Sequence, residues 1–203
     1  LMSLPLLCNT TVSTIPADTP YLYADEKLTE QWKTHIKTDK HIFTIGICWQ
    51  GNAHYSTPML RQAVAAKSLD VHHFKKLATI AHVRIYNLQK CDGTEQLTAD
   101  DTWLLNFDDH FDKDHGRFMD TAAVMKNLDL VITVDTSTAH LAGGLGVPVW
   151  IILPKPADWR WLLDRTDSPW YPTMKLFRQK NAGDWDGVMD EVYDALTNMV
   201  AAP

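Results

Sequence analysis

LDLVITVDTSTAHLAGGLGVPVW, residues 128–150, is the stretch on which the fold turns. It opens with Val131-Ile132-Thr133-Val134, a nearly continuous apolar and β-branched run. Such a run suits a strand covered on both faces, as in the interior of a parallel sheet. Asp135 reads as the N-cap of a following helix, with Thr136-Ser137-Thr138 as its first turn. Leu141, Ala142 and Leu145 then follow Thr138 at the spacing of a helix that buries one stripe. Gly146 is placed to end that helix, and Pro148 keeps it from resuming. A second apolar run over 147–153 is the next strand. The stretch therefore predicts a βαβ unit.

Its chemistry lies in the turn. A helix that starts at the carboxyl end of a parallel strand presents unpaired N–H groups and the positive end of its dipole. Here three hydroxyl residues occupy that end, and Thr136 and His140 share a face four residues apart. Gly143-Gly144 would let the helix lie close to its neighbours. A phosphate or diphosphate is the natural guest. The alternative is an ordinary capped helix with a solvated histidine.

Outward from this unit, 203 residues suffice for one sizeable core. A net charge of -6 argues against a nonspecific nucleic-acid binder, which would carry a basic stripe. Cys8, Cys48 and Cys91 form neither a close pair nor a metal spacing, which points to a reducing, cytoplasmic setting. No apolar run approaches the ~20 residues of a membrane span, and no secretory signal pattern is present. The start at Leu1, within the proline-spaced LMSLPLL, reads as a cut from something longer.

Residues 1–22 read as a linker punctuated by Pro5, Pro16 and Pro20. Leu28, Trp32 and Ile36 predict a helix over 24–38, and HIFTIGICW over 41–49 the first strand. Gly46 there would allow something to approach its backbone closely. Gln50-Gly51-Asn52 is a turn at that strand's carboxyl end, and Arg61 follows in a loop or early helix. A helix over 69–80 capped by Ser68, a strand over 83–88 ending at Gln89, and a third strand over 103–107 come next. A charged loop at 108–116 precedes a helix through Met125 with Asp120 near its start. After the βαβ unit, 157–164 suggests a tryptophan-rich helix, 168–173 a turn, 174–178 a last strand and 185–200 an amphipathic helix. This alternation predicts an α/β, Rossmann-like open parallel sheet with helices on both faces. In such sheets ligands bind outside the carboxyl ends of the strands. Three of those ends, at Gln50-Gly51-Asn52, Gln89 and Asp135–Thr138, carry polar or small residues suited to a nucleotide.

GICWQGN, DTAAVMKNLDLVITVDTSTAHLAGGLGVPVW and DWRWLLDRTDSPWYPTMKLFRQ followed by GDW resemble the carboxyl-terminal half of a bacterial family. Its members join tetratricopeptide repeats to a glycosyltransferase domain of the B-type fold. The chain is also similar to the heptosyltransferases and, more distantly, to the O-GlcNAc transferases. The resemblance covers nearly the whole chain. It implies a carboxyl-terminal, donor-binding domain over 41–203, with 1–40 as interdomain linker and lead-in helix. The implied activity is transfer of a sugar from a nucleotide-diphosphate sugar to an acceptor. The missing amino-terminal acceptor and repeat half would supply the general base, so the isolated chain is expected to be inactive.

Carried over by motif, Thr136, Ser137 and Thr138 hold the diphosphate and His140 touches phosphate or ribose. Gln50 and Asn52 lie across the cleft, Gln89 near base or ribose. Arg61 is the cation for the leaving group, although Gln62 stands where the pattern has a serine. Arg61 and His140 are thus the catalytic candidates. No metal and no further cofactor is implied, because helix N–H groups and a cation can stabilise the departing diphosphate. Two rivals remain: a non-catalytic nucleotide-binding or scaffold module, and a sugar-nucleotide epimerase with catalytic residues of its own.

Other signals read as structural. His110, Asp112, Asp114 and His115 have metal-ligand composition but sit in a charged loop. Asp112-Lys113-Asp114 and Asp184-Trp185-Asp186 mimic the acidic pair of metal-dependent transferases without the strand that pair follows. His72-His73 falls on a surface helix, and Asp120 and Asp135 read as caps. Trp159, Arg160, Trp161, Trp170 and Tyr171 could stack on a base or fill an interdomain seam, with packing the favoured reading. Arg165 is the ligand contact expected from that segment.

Overall fold

Phe43–Cys48 (β1), Val83–Asn87 (β2), Leu104–Leu105 (β3), Leu130–Val134 (β4), Val149–Leu153 (β5) and Met174–Arg178 (β6) are the strands of the computed structural model, which describes residues 3–37 and 39–201. They form one sheet in the order β3-β2-β1-β4-β5-β6, with every neighbouring pair parallel. This is the doubly wound order of a Rossmann-like fold, in which the chain reverses direction between β1 and β4. Leu1 and Met2 of the LMSLPLL segment, Thr38 at the end of the helix expected over 24–38, and Ala202 and Pro203 lie outside the described residues.

Both faces of the sheet are covered, which explains the unbroken apolar runs of β4 and β5. Leu130, Ile132 and Val134 pack on one face with Ile45, Ile47, the 3-10 segment Val71–Thr79 and the terminal helix Trp185–Ala201 (α6). Val131, Ile151 and Leu153 pack on the other with Met119–Met125 (α4) and Ser137–Gly144 (α5). Glu26–Ile36 (α2) joins that second layer. Asp25 caps α2, and Trp32 donates its indole N–H to Asp120 at 2.8 Å. The remaining helices are Leu4–Leu7 (α1) and Pro58–Ala65 (α3).

Residues 20–36 belong to the same packed body as the sheet. The Tyr21 and Leu22 N–H groups both donate to the Gly144 carbonyl, at 2.9 and 3.0 Å. Gly46 makes room for Leu88 and Leu128, each of which would lie 2.6 Å from a Cβ placed there.

Several elements differ from the sequence expectation. The segment expected as a helix over 69–80 is wound as 3-10, and its cap is Asp70, which accepts from the His72 N–H. Ser68 instead donates to the Val64 carbonyl, closing the end of α3. The tryptophan-rich helix shrinks to Trp159–Trp161, because Leu162 takes a φ of 56° that no right-handed helix continues through. The third strand is only the pair Leu104–Leu105 at the sheet edge. Asp120 is not a cap: Phe118 holds that position, and Asp120 accepts from Trp32, from the Asp112 N–H and from His115. Asp112 in turn caps Thr121, so the HFDKDH loop is spent on starting α4. Among the described residues, no three of His, Cys, Asp and Glu converge as a metal site would require.

Candidate functional site

The reversal between β1 and β4 opens a crevice at their carboxyl ends, and two loops meet there. From β1 the chain leaves through Trp49-Gln50-Gly51, and from β4 through Asp135-Thr136 into α5. Gly51 packs so close that a Cβ would lie 3.3 Å from Val64 and 3.9 Å from Thr136. The two loops are therefore in contact.

Asp135 is not the N-cap of α5. Thr136 holds that position with extended backbone, φ -135° and ψ 175°, and its hydroxyl caps nothing. That hydroxyl instead turns into the crevice floor, 3.2 Å from the Thr133 hydroxyl and 3.7 Å from the Cys48 thiol. Burial raises the Cys48 thiol pKa, keeping it neutral against the pull of the Thr138, Thr136 and Thr133 hydroxyls. Asp135 is drawn off by Lys67, whose ammonium lies 3.1 Å from its carboxylate. The correction has a chemical consequence. A capping carboxylate would occupy the N–H groups that an anion needs; with Asp135 paired, the start of α5 stays open. Among the described residues, the Ser137 and Thr138 N–H groups donate to no protein acceptor. Ser137 is exposed and Thr138 buried.

His140 sits one turn further on, half-buried against the face of Trp161, with centroids 5.4 Å apart and planes at 19°. Its Nδ1 lies 3.0 Å from the Tyr171 hydroxyl. Burial lowers its pKa; Asp135 opposes that shift, while Arg160 and Lys67 add to it. The ring is accordingly held neutral at pH 7. Trp161 is fully buried, Trp170 donates to the Arg160 carbonyl, and Trp159 is half-exposed beneath the Arg160 guanidinium.

The other expected site residues divide by location. Gln50 stands at the crevice mouth, its side-chain oxygen accepting from Gln96. Asn52 is exposed and accepts from the His54 N–H, an Asx turn that shapes its own loop. Gln89 has its amide engaged by the protein. Its oxygen accepts from the Trp49 and Gln50 N–H groups, each at 2.9 Å, and its nitrogen donates to the Gln50 and Asp92 carbonyls. Gln89 thus ties the β1 loop to the β2 loop. Arg61 lies on α3 with its guanidinium on the Tyr55 and Ser56 carbonyls, just ahead of its own helix.

Arg165 lies on the segment beside β6, where its carbonyl accepts from Arg178. It forms a two-pronged ion pair with Asp167 in a segment running antiparallel beside β6. That edge is three strand spacings from β4, about 14 Å. Lys67, not among the residues expected at the site, places its ammonium on Asp135 beside the start of α5.

No protein-family profile matches the chain. Residues amounting to 41% of it are 34% identical, over 83 positions, to Protein FlbA of Caulobacter vibrioides. Among solved structures, E. coli ADP-heptose LPS heptosyltransferase II is similar with a TM-score of 0.56 at 15% identity, over 94% of this chain. A family 9 glycosyl transferase of Veillonella parvula is similar with a TM-score of 0.56 at 14% identity, over the whole chain. The likeness to the transferases is one of fold. The chain spans 14% of FlbA, 57% of the E. coli transferase and 52% of the V. parvula one.

Proposed function

We propose that this chain is the donor-binding half of a glycosyltransferase, taking a nucleotide-diphosphate sugar with its diphosphate on the start of α5. The observation that carries this reading is the open helix start at the strand reversal, with Lys67 beside it and Asp135 already paired. Breaking the glycosyl–phosphate bond leaves a nucleoside diphosphate whose charge grows in the transition state. The Ser137 and Thr138 N–H groups and the Lys67 ammonium stabilise that charge, while the neutral His140 adds a hydrogen bond. The shared fold with two glycosyltransferases supports the reaction class. On this reading the acceptor and its general base come from a further segment that bears tetratricopeptide repeats. The cysteines described, none in a disulfide, fit a cytoplasmic setting.

The test is proline at Ser137, the first helical position. Proline is tolerated there, and the extended Thr136 before it suits a following proline. The substitution removes one N–H aimed at the phosphate. Loss of a charge-assisted bond costs about 1.5–3 kcal/mol, roughly a tenfold to hundredfold loss of affinity. Titration calorimetry with UDP, ADP and their nucleosides should show that loss for the diphosphates alone, with circular dichroism unchanged. A folded Ser137→Pro protein that keeps wild-type affinity for the diphosphates would place the phosphates elsewhere. No preference for a diphosphate over its nucleoside in the wild type would favour the scaffold reading.

A further inference from the structure

Tyr171 and Tyr21 lie outside the diphosphate contacts, yet together they lead from the amino-terminal segment to His140. The Tyr21 hydroxyl donates to that of Tyr171 over a long 3.4 Å, and the Tyr171 hydroxyl lies 3.0 Å from His140 Nδ1. Tyr171 is buried against α5, where Gly143 admits its ring. Resting on the donor-site reading above, we infer that Tyr171 is a positioning residue. Its hydroxyl donates to Nδ1 and holds His140 as the neutral Nε2–H tautomer, so that an uncharged N–H is offered to the donor's diphosphate.

The direction of that bond follows from satisfaction. With Tyr21 as donor to its oxygen, the Tyr171 proton has one acceptor among the described residues, His140 Nδ1. Were Nδ1 protonated, the Tyr171 oxygen would face two donors and its own buried proton would have no acceptor, a costly arrangement. Burial pushes the Tyr171 hydroxyl well above the ordinary phenol range, so it keeps its proton at neutral pH. Nε2 has no protein partner among the described residues. A helical side chain leans back over the preceding turn, which here is the open start of α5. The charges acting on the ring come from three elements. They are Asp135 on the β4 loop, Lys67 after α3, and Asp158 and Arg160 on the segment after β5. Two of each sign leave burial and the Tyr171 bond to hold the ring neutral.

Nitrogen-15 NMR of the labelled chain reads this directly, the His140 signals being identified among nine histidines by their loss in His140→Asn. Without ligand near pH 7, Nδ1 should give the shift of a bare, hydrogen-bonded ring nitrogen and Nε2 that of an N–H. Tyr171→Phe keeps the ring against Gly143 and removes only the hydroxyl. It should raise the His140 pKa, since the bond favouring the neutral ring is gone, and weaken ADP and UDP binding about two- to tenfold. Tyr21→Phe should move both in the same direction by less. A protonated Nδ1 in the wild type overturns the assignment, as does a Tyr171→Phe chain with unchanged pKa and affinity. A wild type that holds the Nε2–H tautomer but binds neither diphosphate sinks the donor-site reading and leaves the tautomer standing.

Discussion

Replacing Lys67 would do two things at once. It would remove the cation beside the open start of α5, and it would strand Asp135, whose side chain is only 11% exposed. An unpaired carboxylate there costs stability and repels a diphosphate as well. Lys67→Ala should therefore weaken nucleoside-diphosphate binding by more than about tenfold and lower the urea midpoint. The double change Lys67→Ala with Asp135→Asn should recover stability but only part of the affinity, because the repulsion is gone and the attraction still missing. Arg61→Ala should change affinity by less than about twofold, since an exposed guanidinium on the carbonyls of its own loop contributes little. Calorimetry on the three variants decides between the two cations. A larger loss for Arg61→Ala than for Lys67→Ala would return the leaving-group role to Arg61.

α5 is stabilised less by its own propensity than by what lies against it. Its end is closed by two bonds, Val147 N–H to the Ala142 carbonyl at 3.0 Å and Gly146 N–H to the Gly143 carbonyl at 3.1 Å, with Gly146 at φ 68°. This is a Schellman closure, and it needs glycine at that position. Gly143 and Gly144 then form a flat back. A Cβ on Gly143 would sit 2.5 Å from the Tyr171 ring, and one on Gly144 2.8 Å from Leu22. Gly143→Ala gains helix propensity but must displace a buried aromatic ring, an overpacking cost of about 1–3 kcal/mol. Urea unfolding should show a lower midpoint with an unchanged slope. Because that ring holds His140, diphosphate affinity should fall as well. A Gly143→Ala protein as stable as wild type would mean that α5 can slide freely on Tyr171.

For the whole molecule, the sheet is pinned at one end by Asp129, which accepts from the Thr44 N–H and hydroxyl and pairs with Lys37. Against a burial penalty that would raise them, bonds to Lys37 and Thr44 lower the Asp129 pKa, and bonds from Trp32, Asp112 and His115 lower that of Asp120. A carboxylate lowered on folding contributes stability above its unfolded value, near ~4, and loses it as pH falls through the folded value. His140 is also lowered, but its neutral form is the one that folding favours. Its contribution is complete above about pH 6.5 and shrinks as pH falls below that, because the unfolded chain then binds the extra proton. The melting temperature should thus be level from about pH 7 to 8, decline gently below 6.5 and drop steeply below about 4. His140→Asn should flatten the upper decline and leave the acid drop in place. A variant profile that parallels the wild type between pH 5 and 6.5 would show that His140 titrates alike in both states.

The β4–α5–β5 unit was legible because its signals are local. A β-branched run, a hydroxyl-rich turn and a glycine two residues before a proline report on backbone preferences within a few residues. The parallel sheet followed from the alternation of such units. What only the tertiary structure decided was which polar groups meet. Asp135 looks like a cap until Lys67, 68 residues earlier, takes its carboxylate. Gln89 looks free until the β1 loop claims both ends of its amide, and Arg165 looks free until Asp167 takes its guanidinium. Periodicity records whether a residue is buried, not by what. A hydrogen bond or an ion pair between distant segments depends on strand order and register, which a single element's sequence does not encode.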